Sequence, residues 1–241
     1  MNDLRPEFHH ELDEIRNEIA RLGSSVVELI PRVTEILLQQ DLEGAEYVLR
    51  ADDEIDARSI EIEERALTLL ALQAPVARDL RQVAAALKLA PEIERSADLC
   101  SNICKAARRI YGHGLDPKVR GIVQRMSDQA HQEYKEVIEA YLAVDAVRAA
   151  ALPDMDGFLD DLHRQFIAQI FESHAAGLID LQVAVQLALV ARFYERLGDH
   201  AVNISQRVRY IASGWLPVHD GATRFHQRAI ADQSAGEPGG E

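Results

Sequence analysis

The stretch YERLGDHAVNI, Tyr194 to Ile204, decides the fold because an earlier segment of the chain repeats its outline. In IERSADLCSNI, Ile93 to Ile103, the Glu-Arg pair, the Asp and the Asn-Ile pair occur at the same spacing, 101 residues earlier. Between residues 79–104 and 180–205, 8 of 26 aligned positions are identical. Average composition would give about two identities over such a length. The sequence therefore predicts an internal duplication.

The duplication extends toward the start of each half, with an offset of 104 instead of 101. Three aspartates recur there: Asp41, Asp52 and Asp56 in the first half, and Asp145, Asp156 and Asp160 in the second. A period near 100 residues is too long for a solenoid repeat, whose unit has about 20–50 residues. We therefore expect each half to form a small domain-like unit.

The composition favours an all-α protein, since aromatic residues make up only 5% of the chain and no convincing strand pattern occurs. The formal net charge of −14 argues against nucleic acid as the main partner, because its phosphates require a basic surface. We expect no signal peptide and no membrane insertion, since the start is polar and the most apolar run, residues 181–194, is short. Cys100 and Cys104 are expected to be thiols without a disulfide.

Periodic apolar residues and turn signals predict three helices in each half. The first helix begins near Phe8 with a heptad pattern, and helices over residues 43–72 and 76–110 follow. Asp116 and Pro117 are typical of a new helix start, and helices over 117–144, 159–173 and 178–212 repeat the plan. We predict two tandem three-helix bundles that form one six-helix body, with units at residues 3–113 and 116–217. Residues 218–241 lack periodicity and are expected to form a disordered tail.

Acidic residues four positions apart lie on one face of a helix, and the second and third helices of each half carry such pairs. Helices joined by a short turn run antiparallel, so residues equidistant from the turn lie at the same height. Residues 52 and 98 are equidistant from Pro75, and residues 156 and 199 from a point beside Gly177. The sequence thus predicts two clusters of four carboxylates: Asp52, Asp56, Glu94 and Asp98 in the first half, and Asp156, Asp160, Glu195 and Asp199 in the second.

Four partly buried carboxylates repel one another and lose hydration, so each cluster requires a compensating positive charge. Oxygen ligands suit magnesium, calcium and manganese, and also iron where carboxylates bridge several ions. We therefore expect a multivalent metal ion in each half. The alternative is that the acids form ordinary salt bridges with nearby arginines, for which the candidates are Arg58, Arg95, Arg164 and Arg196.

Two function classes fit these clusters. One is a non-enzymatic regulator that binds partner proteins, and the other is a carboxylate-bridged di-metal enzyme or an iron-handling helical bundle protein. His200 follows Glu195 by five residues, so the Glu-x-x-His motif of di-iron bundles is absent, and no nucleophile with a base is evident. These features favour the regulator. A structural helical adaptor without metal is a third possibility.

The duplicated three-helix plan, the Asp-Leu-Arg at residues 79–81 and the motif ERLGDHAVNI resemble the PhoU family of phosphate uptake regulators. The resemblance extends from Phe8 to about Trp215. It implies a cytoplasmic six-helix regulator, not an enzyme, whose Glu(Asp)-x-x-x-Asp motifs bind divalent or trivalent metal ions such as iron, manganese, magnesium or zinc. It also implies negative regulation of phosphate uptake, with components of the phosphate ABC transporter and a sensor histidine kinase as partners. A homodimer is expected as well.

Four other positions have structural expectations. Gly198 lacks a side chain and should allow close helix approach beside Asp199. Asp79 and Asp180 each follow a turn and are expected to cap a helix. His9 lies near the start of the chain and is expected to be solvated.

Overall fold

The computed structural model describes residues 6–215, which are helical almost throughout and contain no strand. No helix in this range is long and apolar enough to span a membrane. The predicted tail, residues 218–241, lies outside the described residues. The all-α prediction is confirmed by six long helices and one short helix: α1 (Pro6–Gln39), α2 (Leu42–Gln73), α3 (Ala77–Arg109), α4 (Pro117–Ala143), α5 (Ala146–Ala150), α6 (Leu152–Ala175) and α7 (Leu181–Ser213).

Aspartate side chains cap the first and the last helix of the second unit, α4 and α7. Asp116 accepts a hydrogen bond from the backbone N–H of Lys118 at 3.0 Å, and Pro117 occupies the first helical position of α4. Asp180 accepts from the backbone N–H of Val183 at 2.8 Å and starts α7. Each carboxylate satisfies a backbone donor that has no partner within the helix. Both predicted caps are therefore confirmed.

The predicted cap at Asp79 is wrong, because α3 begins at Ala77 and its N-cap residue is Val76. A capping side chain must stand before the first helical turn, whereas Asp79 lies inside it. There Asp79 Oδ2 is 3.4 Å from His9 Nε2 on α1. The His9 side chain is 43% exposed, so it is partly solvated as expected, and it also links the start of α1 to α3 through this contact.

The second unit contains one helix more than predicted. Asp145 accepts hydrogen bonds from the backbone N–H groups of Val147 and Arg148 and starts the five-residue helix α5. A new helix, α6, then begins at Leu152, well before the predicted residue 159. Pro153 in the first turn of α6 explains the break, because it has no N–H with which to continue the hydrogen bonding of α5.

The long helices pack in two sets of three. Helices α1, α2 and α3 contact one another, and so do α4, α6 and α7. The sets meet through α1 against α4 and α3 against α7, whereas α2 contacts only α1 and α3 within the described chain. One continuous apolar core contains residues from both sets. The prediction of two three-helix bundles in one body is confirmed.

Buried hydroxyl groups join the two bundles across this shared core. Thr34 Oγ1 of α1 lies 2.7 Å from Ser127 Oγ of α4 and 2.6 Å from the Tyr194 hydroxyl of α7, within hydrogen-bond distance of both. The Tyr134 hydroxyl of α4 donates to Ser96 Oγ of α3. Because buried polar groups must keep their partners, these contacts fix the alignment of one bundle on the other.

Candidate metal centres

The first cluster lies between α2 and α3, which run antiparallel from the short turn at residues 74–76. Asp52 and Asp56 of α2 are close enough to Glu94 and Asp98 of α3 for mutual electrostatic repulsion. Loss of hydration raises the pKa of Asp52, Asp56 and Glu94, and repulsion from Asp98 raises each pKa further. A hydrogen bond from Ser101 partly offsets the rise at Asp52.

The second cluster lies between α6 and α7, where Asp156 and Asp160 face Glu195 and Asp199. Burial raises the pKa of Asp156 to about 6, and repulsion from the other three acids contributes to the rise. Burial is the main cause of a raised pKa at Glu195, and repulsion from Asp199 raises this pKa further. The structure thus brings the four acids of each half together, as the antiparallel pairing predicts.

A fifth acid, Glu133 of α4, lies beside the second cluster and is absent from the sequence prediction. Its side chain is fully buried, and burial raises its pKa to about 8, with Asp156 and Asp160 adding repulsion. Gln129 Nε2 donates a hydrogen bond to Glu133 Oε1 at 2.8 Å, whereas Glu133 Oε2 has no partner. The sequence contains one indication that Glu133 is unusual. At the offset of 104, Glu133 aligns with Leu29, so an acid replaces a partly buried apolar residue.

Gly198 allows α4 and α6 to approach α7 at the second cluster. A Cβ atom on Gly198 would overlap Asp156 Oδ1 and would lie 2.8 Å from Leu159 Cδ2 and 3.0 Å from Glu133 Oε2. Any larger residue would therefore displace a carboxylate. The expectation of close helix approach at Gly198 is confirmed, and the first half differs here, since Ala97 occupies the aligned position.

The four arginines named as alternative partners do not form ion pairs with the clustered acids. Arg58 pairs with Glu54 at 2.5 Å, Arg95 with Glu92 at 3.7 Å, and Arg164 with Asp161. Across the described chain no ion pair joins Arg196 to a cluster, and the only ion pair to any of the eight acids joins Arg192 to Glu195. Salt bridges therefore leave most of the clustered negative charge uncompensated.

Unpartnered oxygens mark both clusters. Among buried side-chain atoms in residues 6–215, Asp56 Oδ1, Asp156 Oδ1 and Glu133 Oε2 form neither a hydrogen bond nor an ion pair. Within the same range, no three His, Cys, Asp or Glu side chains are arranged to hold a single ion as they stand. The donor set is chemically suited to a hard cation. Binding of one ion by three or more of these carboxylates would require side-chain movement.

The asparagine and histidine of the second motif belong to a different contact. Asn203 Nδ2 donates to Glu92 Oε1 at 2.6 Å, and His200 Nδ1 lies 2.8 Å from the same oxygen. Burial alone would raise the pKa of Glu92, but these two hydrogen bonds outweigh it and lower the pKa. His200 therefore contacts α3 through Nδ1, whereas its Nε2 is buried without a hydrogen-bond partner.

The two cysteines lie in the core, free of disulfides as predicted. Burial raises the pKa of both thiols. A metal-binding cysteine must be deprotonated, and burial of this kind opposes that. Cys100 and Cys104 are therefore packing residues of α3.

Comparison with known proteins identifies relatives over nearly the whole described chain. The family model described as the PhoU domain matches twice, at residues 19–107 and 123–208. The phosphate-specific transport system accessory protein PhoU homolog 2 of Mycobacterium tuberculosis is 34% identical over 215 residues, covering 89% of this chain and 100% of that protein. Homolog 1 of Mycobacterium leprae is 34% identical over 218 residues, covering 90% of this chain and 97% of its own length.

Two solved structures have the same fold. PhoU from Pseudomonas aeruginosa superposes with a TM-score of 0.81 at 24% identity, covering 86% of this chain and 100% of that one. The phosphate transport system regulatory protein PhoU from Streptococcus pneumoniae gives a TM-score of 0.79, also at 24% identity, covering 87% and 98%. With its two matched domains, its duplicated carboxylate motifs and its full-length relatives, the chain belongs to the PhoU family.

Proposed function

We propose that this protein is a non-enzymatic accessory regulator of phosphate uptake. Its relatives are named as accessory proteins of a phosphate-specific transport system, and the match covers all or nearly all of their length. On this proposal it works in the cytoplasm as a homodimer. It binds components of the phosphate ABC transporter and a sensor histidine kinase, and it lowers phosphate uptake and starvation signalling.

Metal binding by the two carboxylate clusters is the second part of the proposal. The observation that carries it is the repeated gathering of four acids, of which only Glu195 forms an ion pair within residues 6–215. Asp52, Asp56, Glu94 and Asp98 would hold one site, and Asp156, Asp160, Glu195 and Asp199 the other. The candidate ions are iron, manganese, magnesium and zinc. A bound cation would neutralise the repulsion between the two helices that form each cluster.

We expect paired alanine substitutions to empty one site at a time. Glu94→Ala with Asp98→Ala should remove metal from the first cluster, and Glu195→Ala with Asp199→Ala from the second. Each cluster is assembled mainly from its own helix pair, so the untouched site should stay largely occupied. Elemental analysis of protein purified without chelators measures this directly, giving about half of the wild-type metal content for each double variant.

Exposed acids on the same helices provide matched controls for these variants. Glu54→Ala on α2 and Asp161→Ala on α6 each remove a carboxylate that pairs with an arginine outside the clusters. Both controls should retain full metal content. The fold should change little in the double variants, because removing like charges also relieves repulsion. Equal metal content in all five proteins, or none in the wild type, would reject metal binding by these acids.

The regulatory role is tested separately by partner binding. We expect the protein to co-purify with phosphate ABC transporter components from detergent extracts of cells that express both, and an unrelated ABC transporter is the control. The enzymatic alternative is tested by adding ferrous iron and following oxygen. Stoichiometric or catalytic oxygen consumption that disappears in the Glu195→Ala, Asp199→Ala variant would favour a di-metal enzyme.

A further inference from the structure

The two carboxylate clusters differ at the position that Glu133 occupies in the second half. In the first half, Leu29 of α1 occupies the position that Glu133 of α4 occupies in the second, at the same offset of 104 that relates Asp52 to Asp156. Leu29 packs against the apolar core. The duplicated architecture therefore accepts an apolar side chain at this position, and packing does not require an acid there.

Glu133 lies with an oxygen directed at the second cluster. Asp156 Oδ1 and Glu133 Oε2 both lie within 3.0 Å of the point where a Cβ atom on Gly198 would be. The two oxygens are therefore separated by no more than twice that distance, about 6 Å. Repulsion from Asp156 and Asp160 reaches the Glu133 carboxyl as well. An ion, or a small cluster of ions, drawn in by the four predicted ligands would lie within reach of Glu133.

The burial of the Glu133 carboxyl with one unpartnered oxygen is energetically unfavourable and requires an explanation. Glu133 is fully buried, and Oε2 has no hydrogen-bond partner, whereas Oε1 accepts from Gln129. Gln129 is itself fixed, since its Nε2 also donates to the Met155 backbone carbonyl at 2.9 Å. A buried polar atom without a partner costs free energy that an apolar residue would avoid. The free oxygen is thus held in place by its neighbours and is available to a ligand.

We propose that Glu133 is a fifth carboxylate ligand of the second cluster, which therefore binds a hard multivalent cation more tightly than the first cluster does. The inference rests on the proposed metal binding and goes beyond it, because it makes the two halves unequal. Affinity for hard cations rises with the number of charged oxygen ligands and with the rigidity of the site. The additional carboxylate of Glu133 therefore favours the second cluster.

The test uses Mn²⁺ added to the full chain after removal of metal by a chelator. We expect wild-type protein to bind Mn²⁺ in two classes, with the tighter class lost in the Glu195→Ala, Asp199→Ala variant. Glu133→Gln and Glu133→Leu should each weaken that class by roughly 10- to 100-fold and leave the weaker class unchanged. The leucine variant reproduces the residue of the first half, so it provides a folded protein if the glutamine variant proves unstable.

Asp128→Asn is the matched control, because Asp128 is an exposed acid on the same helix that accepts a hydrogen bond from Gln124. It removes one negative charge outside the cluster and should leave both Mn²⁺ affinities unchanged. A purely structural Glu133 would alter the melting temperature of the metal-free protein but not the Mn²⁺ affinity. Unchanged tight binding in both Glu133 variants, or equal affinities at the two wild-type sites, would overturn this inference alone. A wild-type protein that binds no Mn²⁺ would overturn the proposed metal binding too.

Discussion

Gly198→Ala is expected to destabilise the protein by about 1–3 kcal/mol, although alanine is the better helix former. The added methyl group would overlap Asp156 Oδ1 and lie 2.8 Å from Leu159 Cδ2, so α6 must shift or the Asp156 carboxylate must rotate. Either movement separates the acids of the second cluster. The same variant should therefore bind metal more weakly at the second site while the first site, where Ala97 already carries a Cβ, is unaffected.

Gly157→Ala is the matched control, because Gly157 lies on α6 beside Asp156 and a Cβ there would meet no atom within 4 Å. This substitution should stabilise the protein by about 0.5–1 kcal/mol through helix propensity alone. Urea denaturation of the metal-free proteins gives both values. If the two alanine variants have the same free energy of unfolding, the close helix approach at Gly198 does not contribute to stability and the predicted difference is wrong.

The clusters were predictable from the sequence because two simple geometric rules combine. Spacing by four places Glu195 and Asp199 on one helix face, and a short turn places the acids of the preceding helix at the same height. Neither rule depends on details of packing. The duplication predicts the same clustering of acids in the first half, at Glu94 and Asp98. The prediction for each half therefore supports the prediction for the other.

Extending the same rule one step further fails at Asn203. Residues eight apart on an α-helix are rotated by about 80° relative to each other, because 3.6 residues make a turn. Asn203 is therefore turned away from Glu195 and toward α3, where it bonds to Glu92. Spacing by four therefore places two residues on one face reliably but does not extend to a third residue eight positions away.

Helical periodicity and turn geometry do not place Glu133 in the second cluster. It has no acidic neighbour at position 129 or 137 on its own helix, and α4 is not joined by a short turn to either helix of the cluster. Its position belongs to the buried face of α4, where the apolar pattern predicts packing. Only the tertiary contact between α4, α6 and α7 reveals that the acid reaches Asp156 and Asp160.

Helix boundaries in the second unit were the other feature that the sequence did not predict. The extra helix α5 depends on Asp145, which accepts hydrogen bonds from two backbone N–H groups and so stabilises a single turn before α6 begins at Leu152. Such a turn is too short to show periodicity. The predicted start of α3 at residue 76 is one residue from the observed start at Ala77, and either start places Asp79 inside the first turn, where it contacts His9 instead of capping the helix.

The metal-free protein is expected to lose stability as pH rises from about 4.5 to about 8, and Glu133 should account for much of the loss. Burial raises the pKa of Glu133 to about 8, against an ordinary value of 4.5. Between these pH values the folded protein retains a proton that the unfolded chain has released. The free energy of unfolding then falls by up to about 1.4 kcal/mol per pH unit, which amounts to a few kcal/mol in total.

Glu133→Gln isolates this contribution because glutamine has nearly the same size and cannot ionise. The difference in unfolding free energy between Glu133→Gln and wild type should be constant below pH 4, increase in favour of the variant up to about pH 8, and be constant again above it. Urea denaturation with a chelator present, measured at intervals from pH 4 to pH 9, gives this difference directly. Other titrating acids largely cancel in the comparison, since both proteins contain them. Parallel stability profiles would mean that the Glu133 carboxyl ionises as easily in the folded protein as in the unfolded chain, and that its burial among the acids of α6 and α7 does not raise its pKa.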